Sequence, residues 1–156
     1  MILINMKSIE NNFGNEEVNK LLKKHFVELR SVSPLGSTHV LDIGGLKTHT
    51  IKFWSFWNKN QLIGCGALKF LSQDHGEFKS IRISDEFRNK DLGRVLILDL
   101  IEKAKNNNIK KISVETGAGK FFLPARKLFL KCGFKPSKPF AHYTDDPNSC
   151  YYYLDI

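Results

Sequence analysis

At 156 residues, with 42% hydrophobic and 26% charged side chains, the chain has the length and balance of one soluble globular domain, residues 1–156, large enough to bury a core. No run approaches the ~18 apolar residues of a membrane span, and residues 1–7 lack the basic start and cleavage site of a secretory signal. The net charge of +8 is concentrated in residues 88–138, which hold 13 Lys/Arg against 4 Asp/Glu; without an aromatic–basic stacking pattern or a nucleic-acid motif, that surface favours a phosphorylated ligand over nucleic acid.

Residues 2–9 read as a first strand. Asn15 is placed to cap a helix whose first turn holds Glu16 and Glu17, both favourable at the positive end of the helix dipole. Val18, Leu21, Leu22, Phe26 and Leu29 follow at helical spacing and define one buried face; His25, beside it, reads as structural or solvated. From 31 to 47 the breakers Ser33-Pro34, Gly36-Ser37 and Gly44-Gly45 give a loop whose length is uncommon outside functional segments. Residues 50–57, rich in Phe and Trp, form a strand. Residues 62–71 return from it, with Gly64 and Gly66 around Cys65 marking a bulge or a close backbone approach. Residues 77–83 add a third strand, so the centre of the chain is an antiparallel meander.

The stretch Arg88-Asn89-Lys90-Asp91-Leu92-Gly93-Arg94 then leads from that strand into an apolar helix, residues 92–104. A loop entering a helix leaves several N–H groups without intrahelical partners, and these, with the dipole, suit a phosphate or pyrophosphate. Gly93 permits close backbone approach, and Arg88, Lys90 and Arg94 add charge. Residues 110–115 give a short strand, 116–119 a glycine-rich loop, and 121–132 a helix with Pro124 in its first turn and Gly133 at its stop. Residues 134–138 and 151–156 are the last strands, joined by a loop that carries His142, Tyr143, Asp145 and Asp146. Cys65, Cys132 and Cys150 are odd in number and follow no metal-ligand spacing, so no metal is expected and a reduced, cytoplasmic setting is.

The segment from Ile83 to Gly93 resembles the acetyl-CoA loop of the GNAT N-acetyltransferases: an apolar strand, then Arg, two residues, Gly, one residue, Gly or Ala. Arg88 and Gly93 fit, and Asp91 stands where the first glycine is usual. Residues 125–134, a helix ending in Gly133-Phe134, resemble the family's second signature. More narrowly, Gly64-Cys65-Gly66-Ala67-Leu68-Lys69, Glu115-Thr116-Gly117, Pro124-Ala125-Arg126 and Asp146-Pro147-Asn148-Ser149 resemble a small bacterial subgroup of acetyltransferases.

The resemblance implies an α+β, three-layer acyl-CoA N-acyltransferase fold: a mixed, mostly antiparallel sheet flanked by helices, with strands splayed around acetyl-CoA. The backbone of Ile81, Arg82 and Ile83 would pair with the pantetheine arm, and the pyrophosphate would sit on Arg88, Asn89, Lys90, Asp91, Leu92, Gly93 and Arg94. Thr116, Lys120 and Arg126 would frame the far side. Catalysis would hold an acceptor amine against the thioester in a ternary complex. Glu77 is the first candidate base, Glu115 the second, and Tyr143 the candidate acid, because many members have tyrosine where this chain has Phe129. His39, Asp42 and Trp54 are acceptor-site candidates. The sequence shows no acidic cluster that singles out a polycationic acceptor. Two rival readings are a CoA-binding module without useful activity, favoured by Phe129 and Asp91, and a nucleic-acid binder using the basic half. As a transferase, the chain is expected to be a monomer or homodimer.

Overall fold

The computed structural model describes residues 5–34 and 36–156. Its elements are β1 (Met6–Glu10), α1 (Glu16–Val32), α2 (Ile43–Leu46), β2 (Ile51–Asn58), β3 (Gln61–Phe70), β4 (His75–Ile83), α3 (Leu92–Asn106), β5 (Lys111–Gly117), α4 (Leu123–Lys131), β6 (Lys135–Pro136) and β7 (Ser149–Asp155). Short 3-10 turns precede α3 and α4. The start of the expected first strand, residues 2–4, lies outside the described residues.

One seven-stranded sheet runs β1-β2-β3-β4-β5-β7-β6. Every pairing is antiparallel except β4 with β5. The meander of residues 50–83 and the Asn15 cap are as the sequence implies, with Asn15 accepting from the amides of Glu17 and Val18. The 31–47 segment is less irregular than expected. Helix α1 runs on to Val32, and Asp42 caps the single turn of α2.

Alternation along β2 explains its aromatic content. Phe53 faces a core built from Val18, Leu22 and Leu46 of α1 and α2, whereas Trp54 and Phe56 face a core built on α3. Both faces are covered, giving three layers. Burying a side chain of this size contributes about 1.5–3 kcal/mol. Trp54 is thus a core residue under α3, 5% exposed, and not part of an acceptor pocket. Its apolar ring is worth more beneath a helix than on a wet wall.

The sheet opens in its middle. Strands β4 and β5 pair only from His75↔Lys111 to Phe78↔Val114, although β4 continues to Ile83 and β5 to Gly117. The register against β3 shows the cause. Cys65 lies opposite Arg82 but Ala67 opposite Lys79, so β4 carries one extra residue there. Ser80, inside that bulge, has φ +54, a left-handed conformation that side-chain-bearing residues seldom adopt. A bulge bends its strand and ends pairing, which leaves the β5-facing backbone of β4 beyond Phe78 without a strand partner.

Candidate active site

Two cavities meet at this opening. The larger, about 500 Å³, is bounded by Ser80, Ile81, Arg82 and Ile83 of β4, by Arg88 to Arg94 except Lys90, by Val114 to Thr116 of β5, and by Leu128 and Phe129 of α4. The smaller, about 220 Å³, lies between Glu77 and Lys79 of β4, Glu115 of β5, the loop residues His39, Val40 and Leu41, and Asn148. Lys79, Ser80, Glu115 and Thr116 belong to both walls.

The outer end of the larger cavity is the entrance to α3. Asn89 and Asp91 both have φ +60, conformations that Asn and Asp tolerate better than most residues. They turn the chain into a helix whose first amides lack intrahelical acceptors. Asp91 takes the family's glycine position for this conformational reason, and its side chain makes no cap bond. It instead accepts from Arg94 Nε at 3.0 Å and lies 3.6 Å from Lys131 Nζ. The hydrogen bond from Arg94 holds its carboxyl below the usual range. Gly93 packs so closely that a Cβ there would lie 2.8 Å from Leu128 Cδ2.

Five sequence candidates have side chains placed away from the cavities or engaged elsewhere. Arg126 donates to the carbonyls of Gly117 at 2.7 Å and Gly119 at 2.8 Å. It braces the β5–α4 loop, where the Gly119 carbonyl also accepts from the Phe122 amide at 3.1 Å, and it lines neither cavity. Lys120 is exposed and outside both walls. Lys90 lies over the Phe87 ring, 5.6 Å from its centroid. The Arg82 side chain, 5% exposed, donates to Glu28 Oε2 at 2.6 Å and turns toward α1, which leaves only its backbone for a ligand beside β4. Asp42 accepts from the amide of Gly45; it is a helix cap and lines neither cavity.

The smaller cavity collects the ionisable groups. Tyr143 donates to Glu77 Oε2 at 2.6 Å, and Lys79 Nζ donates to the same oxygen at 3.2 Å and to the Tyr143 hydroxyl at 3.1 Å. Burial and the adjacent Glu77 push the Tyr143 phenol well above the ordinary tyrosine range. Its proton is committed to Glu77 and its ring lines neither cavity. Glu115 accepts from Ser149 Oγ at 3.2 Å. Burial lifts its pKa from 4.5 to about 7, opposed by the Ser149 hydrogen bond and the Lys79 charge. His39 Nε2 is 4.0 Å from Glu115. Burial and Lys79 lower the His39 pKa, so the contact joins a neutral imidazole to the carboxyl.

Two loops seal this cavity. Ser37 Oγ donates to Asp146 Oδ2 at 2.6 Å and accepts from Asn148 Nδ2 at 3.4 Å. His39 meets the Tyr143 ring edge-on at 5.0 Å. At the family's usual tyrosine position, the Phe129 ring packs on Phe134 and Tyr152. It lines the larger cavity and carries no proton.

Sequence reasoning missed Lys79, Ser80 and His25. Lys79 was within reach, because it lies two residues from Glu77 and so on the same face of the strand. Among the described residues, no cluster of His, Cys, Asp or Glu is arranged to hold a metal ion, and no helix is long and apolar enough to cross a membrane.

Comparisons with known proteins agree with this architecture. The sequence profile of the acetyltransferase (GNAT) family matches residues 16–134. The uncharacterised N-acetyltransferase YsnE of Bacillus subtilis is 39% identical over 86% of this chain and 89% of its own. YedL of Escherichia coli, also an uncharacterised N-acetyltransferase, is 34% identical over 89% and 87%. Among solved structures, a Klebsiella pneumoniae protein ascribed to the acyl-CoA N-acyltransferases aligns with TM-score 0.80 at 21% identity, covering 98% of this chain and 99% of its own. A Bacillus subtilis acetyltransferase in complex with CoA aligns with TM-score 0.67 at 21% identity, covering 97% and 99%. With the family profile spanning most of its length and two relatives above 30% identity over most of both chains, this chain belongs to the GNAT family and is an N-acetyltransferase.

Proposed function

We propose that this enzyme moves the acetyl group of acetyl-CoA directly to the amine of a small molecule, with both substrates bound at once and Glu115 as the base. The observation that carries the reading is the position of Glu115. It stands in the wall shared by the two cavities, and its pKa near 7 lets it take a proton at neutral pH. Glu77, the first candidate from sequence, lines only the smaller cavity and already holds Tyr143 and Lys79.

The larger cavity fits the coenzyme. The backbone of β4 past the bulge is free to pair with an extended chain, as Ile81 to Ile83 were expected to do. The buried Ser80 hydroxyl, without a partner among the described residues, faces the same space. The amides opening α3, with Arg88 and Arg94, suit a pyrophosphate. Acetyl-CoA supplies the activated acyl carbon. The chain's own residues align the two substrates, exclude water and accept the amine proton. Phe129 offers no acid at the thiol side, and none is required: a thiol with a pKa near ~8.5 leaves readily as its thiolate at neutral pH.

Calorimetric titration with acetyl-CoA at two salt concentrations tests the cofactor half of this reading. Saturable one-to-one binding is expected, weakened by salt and about tenfold by Arg88→Ala, the loss of one charge-assisted contact. Release of free thiol with a panel of small amines then tests transfer. Absence of binding at millimolar acetyl-CoA would remove the proposal.

A further inference from the structure

The smaller cavity contains a polar atom that neither the fold nor the reaction uses. Glu77 is 1% exposed. Its Oε2 is held by Tyr143 and Lys79, but its Oε1 has no hydrogen-bond partner among the described residues. A buried carboxylate oxygen without a donor is costly to maintain. Three other bare polar atoms lie nearby: His25 Nδ1 and Ser80 Oγ on residues that border both cavities, and Arg82 Nε on a side chain turned toward α1. Glu77 borders only the smaller one.

Charge decides what can complete it. Lys79, 9% exposed along its side chain, already balances Glu77. A second carboxylate brought into the cavity would meet both Glu77 and Glu115, whereas a donor would supply the bond that Oε1 lacks. The register places Glu77 opposite Ser113, and Glu115 lies two residues further along β5 on the same face. With a rise of ~3.3 Å per residue and ~4.8 Å between strands, the two α-carbons are roughly 8 Å apart. The carboxyl groups therefore address two points of a short molecule. Leu29, Val40 and Leu41 supply apolar wall between them, and the 220 Å³ available is below the ~300–1,000 Å³ of sites for drug-sized ligands.

We propose that Glu77 Oε1 is a specificity element reading a second hydrogen-bond donor on the acceptor. The substrate class is then a small amine with a hydroxyl, amide or second amine a few atoms from the reacting nitrogen. This rests on the reading above, in which Glu115 receives the reacting nitrogen.

The test compares kcat/KM, measured by thiol release, for butylamine, 4-amino-1-butanol, 1,4-diaminobutane and 4-aminobutyrate. The amino alcohol and the diamine should exceed butylamine at least tenfold, and 4-aminobutyrate should fall below it. In Glu77→Gln the ratio of diamine to butylamine should fall toward one. The pair Glu77→Gln with Lys79→Met removes both charges together, leaves no unpaired buried ion, and should lose the ratio equally while keeping the parent circular dichroism. A parent ratio within twofold of one, or a ratio unchanged in both variants, overturns the inference. If no probe is acetylated, titration into the CoA-saturated protein separates the two ideas. Glu77-dependent binding of diamine over butylamine then upholds the specificity element while the transferase reading fails, and no such selectivity overturns the inference itself.

Discussion

Replacing Glu115 with Gln should make the protein more stable and much less active, but only above the pH at which the parent carboxyl ionises. Burial lifts this carboxyl from 4.5 to about 7, a gap worth about 3 kcal/mol. Below pH 4.5 the group is protonated in the folded and unfolded chain alike, and Gln, its neutral isostere, changes little. Between 4.5 and 7 the unfolded chain releases its proton while the folded chain retains it, so stability falls as pH rises; above 7 the deficit is complete. Glu115→Gln has no proton to release. Urea denaturation should therefore find it equal to the parent at pH 4 and up to about 3 kcal/mol more stable at pH 8. Thiol-release assays at saturating acetyl-CoA should show kcat/KM lowered by roughly 10²–10⁴ at pH 8, with the ascending limb near pH 7 gone and only the acceptor's own ionisation remaining. Equal destabilisation at both pH values, or survival of that limb, would refute the assignment.

Three further outcomes follow from the same geometry. Lys79→Met leaves Glu77 buried without its cation and should lower stability by about 3–5 kcal/mol at neutral pH; adding Glu77→Gln should restore most of it in the same denaturation assay. Gly64→Ala would set a Cβ 2.3 Å from the Arg82 carbonyl, whereas at Gly93 the obstacle at 2.8 Å is the tip of the Leu128 side chain. Thermal unfolding should show Gly64→Ala losing about 1–3 kcal/mol and Gly93→Ala clearly less, since backbone yields less than a leucine methyl. His25 is buried, and its pKa is lowered from 6.5 to about 4, chiefly by that burial and then by Arg82. As pH falls below 6.5 the unfolded chain takes up this proton first, so up to about 3 kcal/mol of stability is lost by pH 4. His25→Phe should flatten that limb of the stability–pH curve.

The fold was legible wherever the signal was local. Asn15 with Glu16 and Glu17 announced α1, the Phe/Trp run announced a strand, and Arg88 to Gly93 announced the helix entrance that proves to lie at the mouth of the larger cavity. The candidate reaction centre was less legible, because it depends on register. Glu77 and Glu115 stand 38 positions apart in sequence, and only the short parallel pairing of β4 with β5 brings them to one cavity. The family resemblance gave Arg126 a ligand role, and aromatic type gave one to Trp54. Arg126 donates instead to the carbonyls of Gly117 and Gly119, and Trp54 packs beneath α3. Tyr143 was read as a candidate acid, and nothing in sequence shows that its hydroxyl points at Glu77.

The bulge at Ser80 links these features. Serine is not a residue from which sequence reasoning expects φ +54, yet without the extra residue β4 and β5 would pair past Phe78 and leave no opening between them. Cys65 Sγ, fully buried, donates to the Ser80 carbonyl at 3.3 Å, and Gly64 lies against the Arg82 carbonyl with no room for a side chain. The Gly64-Cys65-Gly66 segment of β3 thus supports the distorted strand from behind. It accounts for two glycines in a central strand that would otherwise only weaken it. The same distortion exposes the β4 backbone to the larger cavity, and Lys79, just before the bulge, holds Glu77. The two cavities therefore meet at one misfit in register, and on the proposed function a change that relaxes it should impair acetyl-CoA binding and acceptor selectivity together.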